Sequence, residues 1–321
     1  MRVMKCVAAG LVALACAGMI FAGGSKDRGY KIGVVQLVEH AALDASYQGF
    51  VDGLAEAGLV DGQNIKIDYQ NAQGEQANCV TIAQKLVNDR SDLILAIATP
   101  AAQAVANLTR NIPILVTAVT DPASAKLVNS NELPGTNVTG TSDLTPVEAQ
   151  IKLARQLIPN LQTIGFLYCS SEQNSKFQID IAKKVCDQLG IQYVEATVSN
   201  SNEIQQVTQS LVGKVDAIYA PTDNMIAAGM ATVDLVAKPA KLPVFCGEQG
   251  MTELGGLATY GINYYELGKQ TAKQAVAILK EGKKPADMPI EYLANGDLYV
   301  NMDNAQALGI TIPEDLAAQL Q

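Results

Sequence analysis

The 321-residue sequence predicts an α/β protein of two doubly wound, parallel-sheet lobes. Three observations carry that expectation. The chain is longer than one typical core, and its length suits two domains of about 150 residues each. Strand and helix patterns alternate with regular spacing, and the whole series occurs twice. The strands read as continuous Val, Ile and Leu runs, the mark of parallel sheets covered on both faces.

The elements follow in order. Arg2 and Lys5 precede an uncharged run from Cys6 to Ala22 that is too short to settle across a membrane. This predicts an export signal over 1–22 and a linker over 23–29. Two processing sites stand side by side: Ala13-Leu14-Ala15-Cys16 resembles a loose lipobox that would leave Cys16 lipidated, and cleavage after Ala22 is the plain alternative. Either way the mature chain is expected outside the cytoplasm. The first series begins with strand 31–36 and an amphipathic helix carrying Leu43, Tyr47, Phe50, Val51 and Leu54 on one face. Strand 65–69, a helix with Cys79, Ile82, Ala83, Leu86 and Val87, strand 93–98, a helix opened by Thr99-Pro100 and strand 112–119 complete it. The second series runs through strands at 164–168, 191–196, 215–220 and 243–247, with helices between them. The link between the series falls near 142–145, where Thr145, Pro146 and Glu148 form a helix start. Strand 257–262, a helix with Tyr264, Leu267, Thr271, Ala275, Ile278 and Leu279 on one side, and short strands at 290–293 and 298–301 form the tail.

Composition excludes several classes of function. A formal net charge of −9 repels nucleic acid and anionic lipid. The absence of Trp and the presence of only five Phe argue against a sugar cleft lined with aromatic plates. With a single His, neither a His-rich metal cluster nor a HExxH helix can be built. No G-x-S-x-G elbow, phosphate-binding P-loop or dinucleotide glycine fingerprint occurs, so neither catalysis nor a cofactor is expected. The four cysteines beyond the signal, Cys79, Cys169, Cys186 and Cys246, lack C-x-x-C spacing and read as small core residues.

Ligands of open α/β sheets sit beyond the carboxyl ends of the strands. Those positions gather a polar set: Glu39 and His40, Gln70, Thr99, Thr120 and Asp121, Ser170 and Asn174, Asp223 and Asn224, and Glu248. Thr99, Ser175 and Asp223 also suit helix N-caps. Glu248 has no evident helix to cap, which marks it as functional.

Longer strings then match a known family. Val34-Val35-Gln36 with Glu39-His40, Ala96-Ile97-Ala98-Thr99-Pro100, Thr120-Asp121-Pro122, Asn137-Val138-Thr139-Gly140-Thr141-Ser142-Asp143, Pro221-Thr222-Asp223-Asn224 and Gly247-Glu248-Gln249-Gly250 stand in order. They resemble ABC transporter substrate-binding proteins of the tryptophan/tyrosine type, over about residues 30 to 310. The resemblance implies a type I periplasmic-binding-protein fold with a three-segment hinge. Lobe 1 would hold 30–143 and 258–283, lobe 2 would hold 144–257 and 284–321, and the crossings would lie near 143, 258 and 284. It further implies a monomeric receptor without cofactor or metal, closing on an aromatic amino acid and serving a membrane permease and ATPase. For such a zwitterion, Glu248 and Asp223 would meet the ammonium, and Thr99 and Thr120 with the helix after Pro100 would cradle the carboxylate. Glu39, His40 and Asn174 would border the side chain, and Ala42, Tyr168 and Tyr264 are candidate walls. Another amino acid, a sugar or a nucleoside is the alternative ligand, and an exported hydrolase the alternative class.

Overall fold

The computed structural model describes residues 29–293 and 296–320. The export signal, Cys16 and most of the linker lie outside the described residues. In chain order the strands are β1 (Tyr30–Gln36), β2 (Ile65–Asn71), β3 (Leu93–Ile97), β4 (Ile114–Val119), β5 (Val138–Ser142), β6 (Thr163–Cys169), β7 (Gln192–Val198), β8 (Ala217–Ala220), β9 (Val244–Cys246), β10 (Ala258–Gly261), β11 (Glu291–Tyr292) and β12 (Asp297–Val300). The helices are α1 (Ala41–Glu56), α2 (Gln76–Asn88), α3 (Thr99–Leu108), α4 (Val147–Leu157), α5 (Gln173–Leu189), α6 (Ile204–Leu211), α7 (Asn224–Ala228), α8 (Met230–Ala237), α9 (Gln249–Glu253), α10 (Tyr264–Glu281), α11 (Met302–Leu308) and α12 (Glu314–Ala317).

They form two sheets of the same order. Lobe 1 runs β11-β5-β4-β3-β1-β2 and lobe 2 runs β12-β10-β9-β8-β6-β7. All of these pairings are parallel except β10 with β12. Strands β3 and β4 are buried along their whole length, which is why they read as unbroken apolar runs; β5, Val-Thr-Gly-Thr-Ser, is equally buried but carries no apolar run and was not expected as a strand. Cys79, Cys169, Cys186 and Cys246 are unpaired and buried, small residues within the packing as the sequence suggested.

The hinge departs from expectation at two of three places. The first crossing lies between β5 and α4. The second does not lie at 258, because β10 remains in lobe 2 between β9 and β12; the chain leaves only at Ile262 and Asn263. The third does not lie at 284, because Glu291 and Tyr292 pair with Thr141 and Ser142 at the edge of lobe 1. It falls between β11 and β12. A two-residue strand carries no periodicity that would assign it to a sheet.

Helix α10 returns to lobe 1 and lies against α1. The contact is close because Gly49 faces the Tyr265 backbone and Gly268 faces the Ser46 carbonyl, and a Cβ at either glycine would overlap those atoms. Gly53 against Ala272 continues the same seam. This approach brings the N-termini of α1 and α10 to the same end of lobe 1.

Candidate functional site

The carboxyl ends of both sheets face one another and enclose a cavity. From lobe 1 it is lined by His40, Leu43, Ala118, Thr120, Asp143 and Tyr264; from lobe 2 by Asn174, Thr222, Asp223, Asn224, Ala227 and Glu248. Its free room is about 10 Å³, enough for one water. Asn224 also borders a larger groove of about 530 Å³ at the cleft mouth, between the start of α2 and the loop after β7. The lobes touch across the cavity: Thr120 Oγ1 and Thr222 Oγ1 lie 3.4 Å apart, and His40 Nε2 lies 3.4 Å from Asn224 Oδ1.

Local backbone geometry shapes the lobe 1 wall. The pairing of β4 with β5 slips between Val116 and Val119, and Ala118 within that bulge has φ +52°. Opposite it, Gly140 at φ +146° lets Val116 approach where any Cβ would clash. An alanine in the left-handed region is strained, and such strain gathers at functional sites. Here the slip turns the small side chain of Ala118 and the hydroxyl of Thr120 toward the cavity.

On lobe 2 the carboxyls are held by their own surroundings. Asp223 caps α7 through the Ile226 N–H at 2.8 Å and accepts from Ser175 Oγ and the Cys169 N–H, both at 2.6 Å. Glu172, just outside the lining, accepts from the N–H groups of Asn224 and Met225 and from the side chains of Asn174 and Asn224. Glu248 accepts from Gly250 N at 2.6 Å and Met251 N at 2.8 Å. The sequence reading that Glu248 has no helix to cap is corrected: it caps α9, which at five residues is too short to show a period. Gln178 completes this wall, donating to Thr222 Oγ1 at 2.6 Å.

Asp143 differs. Its Oδ2 accepts from the Tyr264 hydroxyl at 2.8 Å, while its buried Oδ1 makes no hydrogen bond, although the Thr120 hydroxyl lies near the carboxyl. Two further buried polar atoms of the lining are unpartnered, His40 Nδ1 and Asn174 Oδ1. Among the described residues no Lys or Arg pairs with Asp143, Glu172, Asp223 or Glu248. Burial therefore pushes Asp143 up to about 6 and Glu248 to about 7, and burial with their mutual repulsion raises the neighbouring pair Glu172 and Asp223. Burial lowers His40 to about 4, leaving it a neutral imidazole. Part of His40 reaches solvent, but its Nδ1 is sealed. The cavity thus offers surplus acceptors and negative charge with no cation, a setting that suits a ligand cation rather than a metal-bound water or a nucleophile.

Of the residues expected at the site, His40, Thr120, Asn174, Asp223, Asn224 and Glu248 come together. Five do not line the cavity. Glu39 is exposed. Gln70 turns back to Asp68 at 2.6 Å. Thr99 is buried, with its hydroxyl unpartnered and uninvolved in capping. Asp121 pins its own loop through Ser124 N and Asn131 Nδ2. Ser170 donates to the Val198 carbonyl. Ala42 is core, and Tyr168 points to Glu195, so neither forms a wall. Leu43, Ala118, Asp143 and Ala227 were not anticipated as lining; Asp143 alone carried a signal, as the last residue of the 137–143 string and the start of the first crossing.

Two doubly wound lobes that bury a polar cavity between their strand ends, joined by three crossings, define a solute receptor that closes on its ligand. The chain belongs to the family of ABC transporter substrate binding proteins, whose model matches residues 31–320. It is 44% identical over 277 residues to a tyrosine-binding protein of Clostridioides difficile (strain R20291), covering 86% of this chain and 80% of that one. The structure of the ABC domain of Streptococcus pneumonia in complex with L-Trp superposes with a TM-score of 0.88 at 43% identity, covering 91% and 98% of the two chains. A substrate binding protein with adhesive properties from Clostridium difficile, in its ligand-free, open structure, gives 0.68 at 47% identity over 89% and 97%. Of these two structures, the ligand-free, open one has the higher identity and the lower TM-score. The protein is the substrate-binding component of an ABC transporter, with the type I periplasmic-binding-protein fold, and proteins of this family work outside the cytoplasm.

Proposed function

We propose that this protein captures an aromatic α-amino acid, tyrosine or tryptophan, in the cavity between its lobes and passes it unchanged to a membrane permease driven by an ATPase. The observation that carries this is Asp143: a buried carboxyl on the cavity wall with one oxygen free and no protein cation near it. An uncompensated buried charge is costly, and an ammonium supplied by the ligand removes the cost. Asn174 Oδ1 is a second free acceptor for the same group. This moves the ammonium site from Glu248 and Asp223, whose oxygens already accept backbone N–H groups, to Asp143. Thr120 and Thr222, meeting across the cleft, are the hydroxyl donors available to the ligand carboxylate. Leu43, Ala118, Ala227 and the Tyr264 ring are the apolar surface for a side chain. The ligands of the tyrosine-binding and L-Trp-bound relatives support the aromatic class.

With about 10 Å³ of room in the closed arrangement, an amino acid enters only by parting the lobes. The form that holds the ligand is closed around it less tightly than this one, and the ligand shifts the equilibrium by its preference for that form. The same reading has the chain monomeric, exported by its N-terminal signal and either free or held by a lipid on Cys16, with no turnover.

The test is thermal shift and calorimetry on residues 23–321, stripped of ligand by unfolding and refolding. A ligand bound only by the folded form at 100 times its Kd adds about 2.7 kcal/mol of stability. L-Tyr or L-Trp should bind, and N-acetyl-L-tyrosine, which lacks the ammonium, should not. Equal binding of the acetylated compound, or silence with every aromatic amino acid, overturns the proposal.

A further inference from the structure

A second group of contacts crosses the cleft away from the cavity. Gln173, the first residue of α5 in lobe 2, directs both ends of its amide at lobe 1. Its Nε2 donates to the Ser124 carbonyl, and its Oε1 accepts from Gln103 Nε2 of α3 at 2.9 Å. Gln103 Nε2 lies 3.3 Å from the Ala125 carbonyl as well, so the same loop engages both glutamines. None of Gln173, Gln103 or Ser124 lines the cavity. The loop that presents the Ser124 carbonyl is fixed by Asp121, whose carboxylate accepts from Ser124 N at 2.6 Å and Asn131 Nδ2 at 2.8 Å. This gives the Asp121 carboxylate, which does not reach the cavity, a definite task.

We propose that Gln173 and Gln103 form a latch that closes the lobes independently of ligand, with Asp121 as the positioning residue for its lobe 1 half. These residues set how long a ligand stays without touching it. Only contacts present in one state and absent from the other bias an equilibrium. The latch meets that condition: within lobe 2 the Gln173 amide has no partner, and with the lobes apart it and Gln103 would bond to water. Because both glutamines are only partly buried, water competes for them in the closed form too, and the gain is modest. A modest bias is what a receptor that must also release its ligand requires.

The latch rests on the reading of the cavity as a ligand site, and the test separates the two. With L-tyrosine as probe in stopped-flow measurements, Gln173→Ala should raise the dissociation rate about fivefold to tenfold, the effect of one or two partly exposed neutral hydrogen bonds. The association rate should stay the same or rise, because fewer empty molecules are shut, and the ligand-free melting temperature should fall only slightly. Gln103→Ala should act similarly, and the double variant should be no worse than the sum would suggest if one shared contact is lost: its effect should fall short of additivity. Asp121→Ala should give a smaller increase. Unchanged dissociation in Gln173→Ala, or fully additive effects, would overturn the latch. If L-tyrosine fails to bind the natural protein, only the ligand assignment falls, and the latch is read in the empty protein. Spin labels on Gln84→Cys and Lys184→Cys, exposed positions in lobes 1 and 2, then report the closed fraction by pulsed dipolar distances. Gln173→Ala should lower that fraction; an empty protein with no closed fraction, or one the substitution leaves unchanged, sinks the idea.

Discussion

On the lobe 2 side of the cavity, Glu172, Asp223 and Glu248 rest on N–H and amide donors of their own lobe. On the lobe 1 side, Asp143 has one oxygen on the Tyr264 hydroxyl and the other on nothing. The acids are alike in burial and differ in whether the protein has already answered them. A carboxyl that caps a helix is held in place by the fold, and removing it costs structure. A carboxyl with an orphaned oxygen costs the fold something to keep, and the ligand recovers it. Burial and raised acidity alone do not locate a binding group; the count of partners separates the two kinds.

The largest effect expected from that difference is at Asp143. Asp143→Asn should weaken binding of an aromatic amino acid about 100-fold, in line with breaking a buried charge pair. The ligand-free protein should be as stable as before or more so, since a buried charge is removed. Glu248→Gln should do the reverse: stability should fall by about 1 kcal/mol through the weakened cap, with affinity changed less than about tenfold. Calorimetry and urea melts of both variants decide it, and a larger affinity loss at Glu248 would reverse the roles given to the two walls.

The pH response is next in size. Asp143 and Glu248 have folded pKa values of about 6 and 7, above their ordinary values of 3.8 and 4.5, and Glu172 is raised in the same direction. The folded state therefore binds more protons, and the stability these groups contribute is present below about pH 4 and lost as pH rises through about 7. His40, lowered from 6.5 to about 4, acts oppositely, its contribution being lost as pH falls through that range. Three acids outweigh one imidazole, so the ligand-free melting temperature should decline from pH 5 to 7.5. Ligand affinity should rise over the same interval as Asp143 ionises. Affinity that is flat across pH 6 would remove Asp143 from the ammonium site.

The smallest effect concerns the bulge. Ala118→Gly should relieve the left-handed strain and stabilise the protein by about 0.5–1 kcal/mol after the added chain entropy of glycine. A shift of the urea midpoint at constant slope measures it.

The two lobes, most of their strands and half of the cavity lining were legible because continuous apolar strands and the loops after them have strong signatures; β5, with three hydroxyl residues and a glycine among five, has none and was missed. The five strand-end residues that miss the cavity share one cause. Position after a strand fixes where a Cα lies but not where the side chain points, and Gln70, Asp121 and Ser170 all turn to neighbours within three residues or an adjacent strand end. Asp143 was seen as a crossing and not as a site, because its meeting with Tyr264 depends on the glycine seam between α1 and α10, a contact spanning more than two hundred residues. The misplaced crossings at 258 and 284 arise from strands of four and two residues, for which pairing partners rather than pattern decide the lobe.

The tail has a consequence for how the molecule is made. Past residue 258 the chain supplies β10 to lobe 2, α10 and β11 to lobe 1, and β12 to lobe 2 again. Neither sheet reaches its full width until the final segment is present, and the helix that brings Tyr264 to Asp143 comes after nearly all of lobe 2. Folding must close long-range contacts in both halves together, a slow kind of topology. A chain emerging N-terminus first thus leaves the lobe 1 sheet unfinished until β11 at Tyr292 and the lobe 2 sheet until β12 at Val300, and a truncation before residue 291 injures the two halves at once.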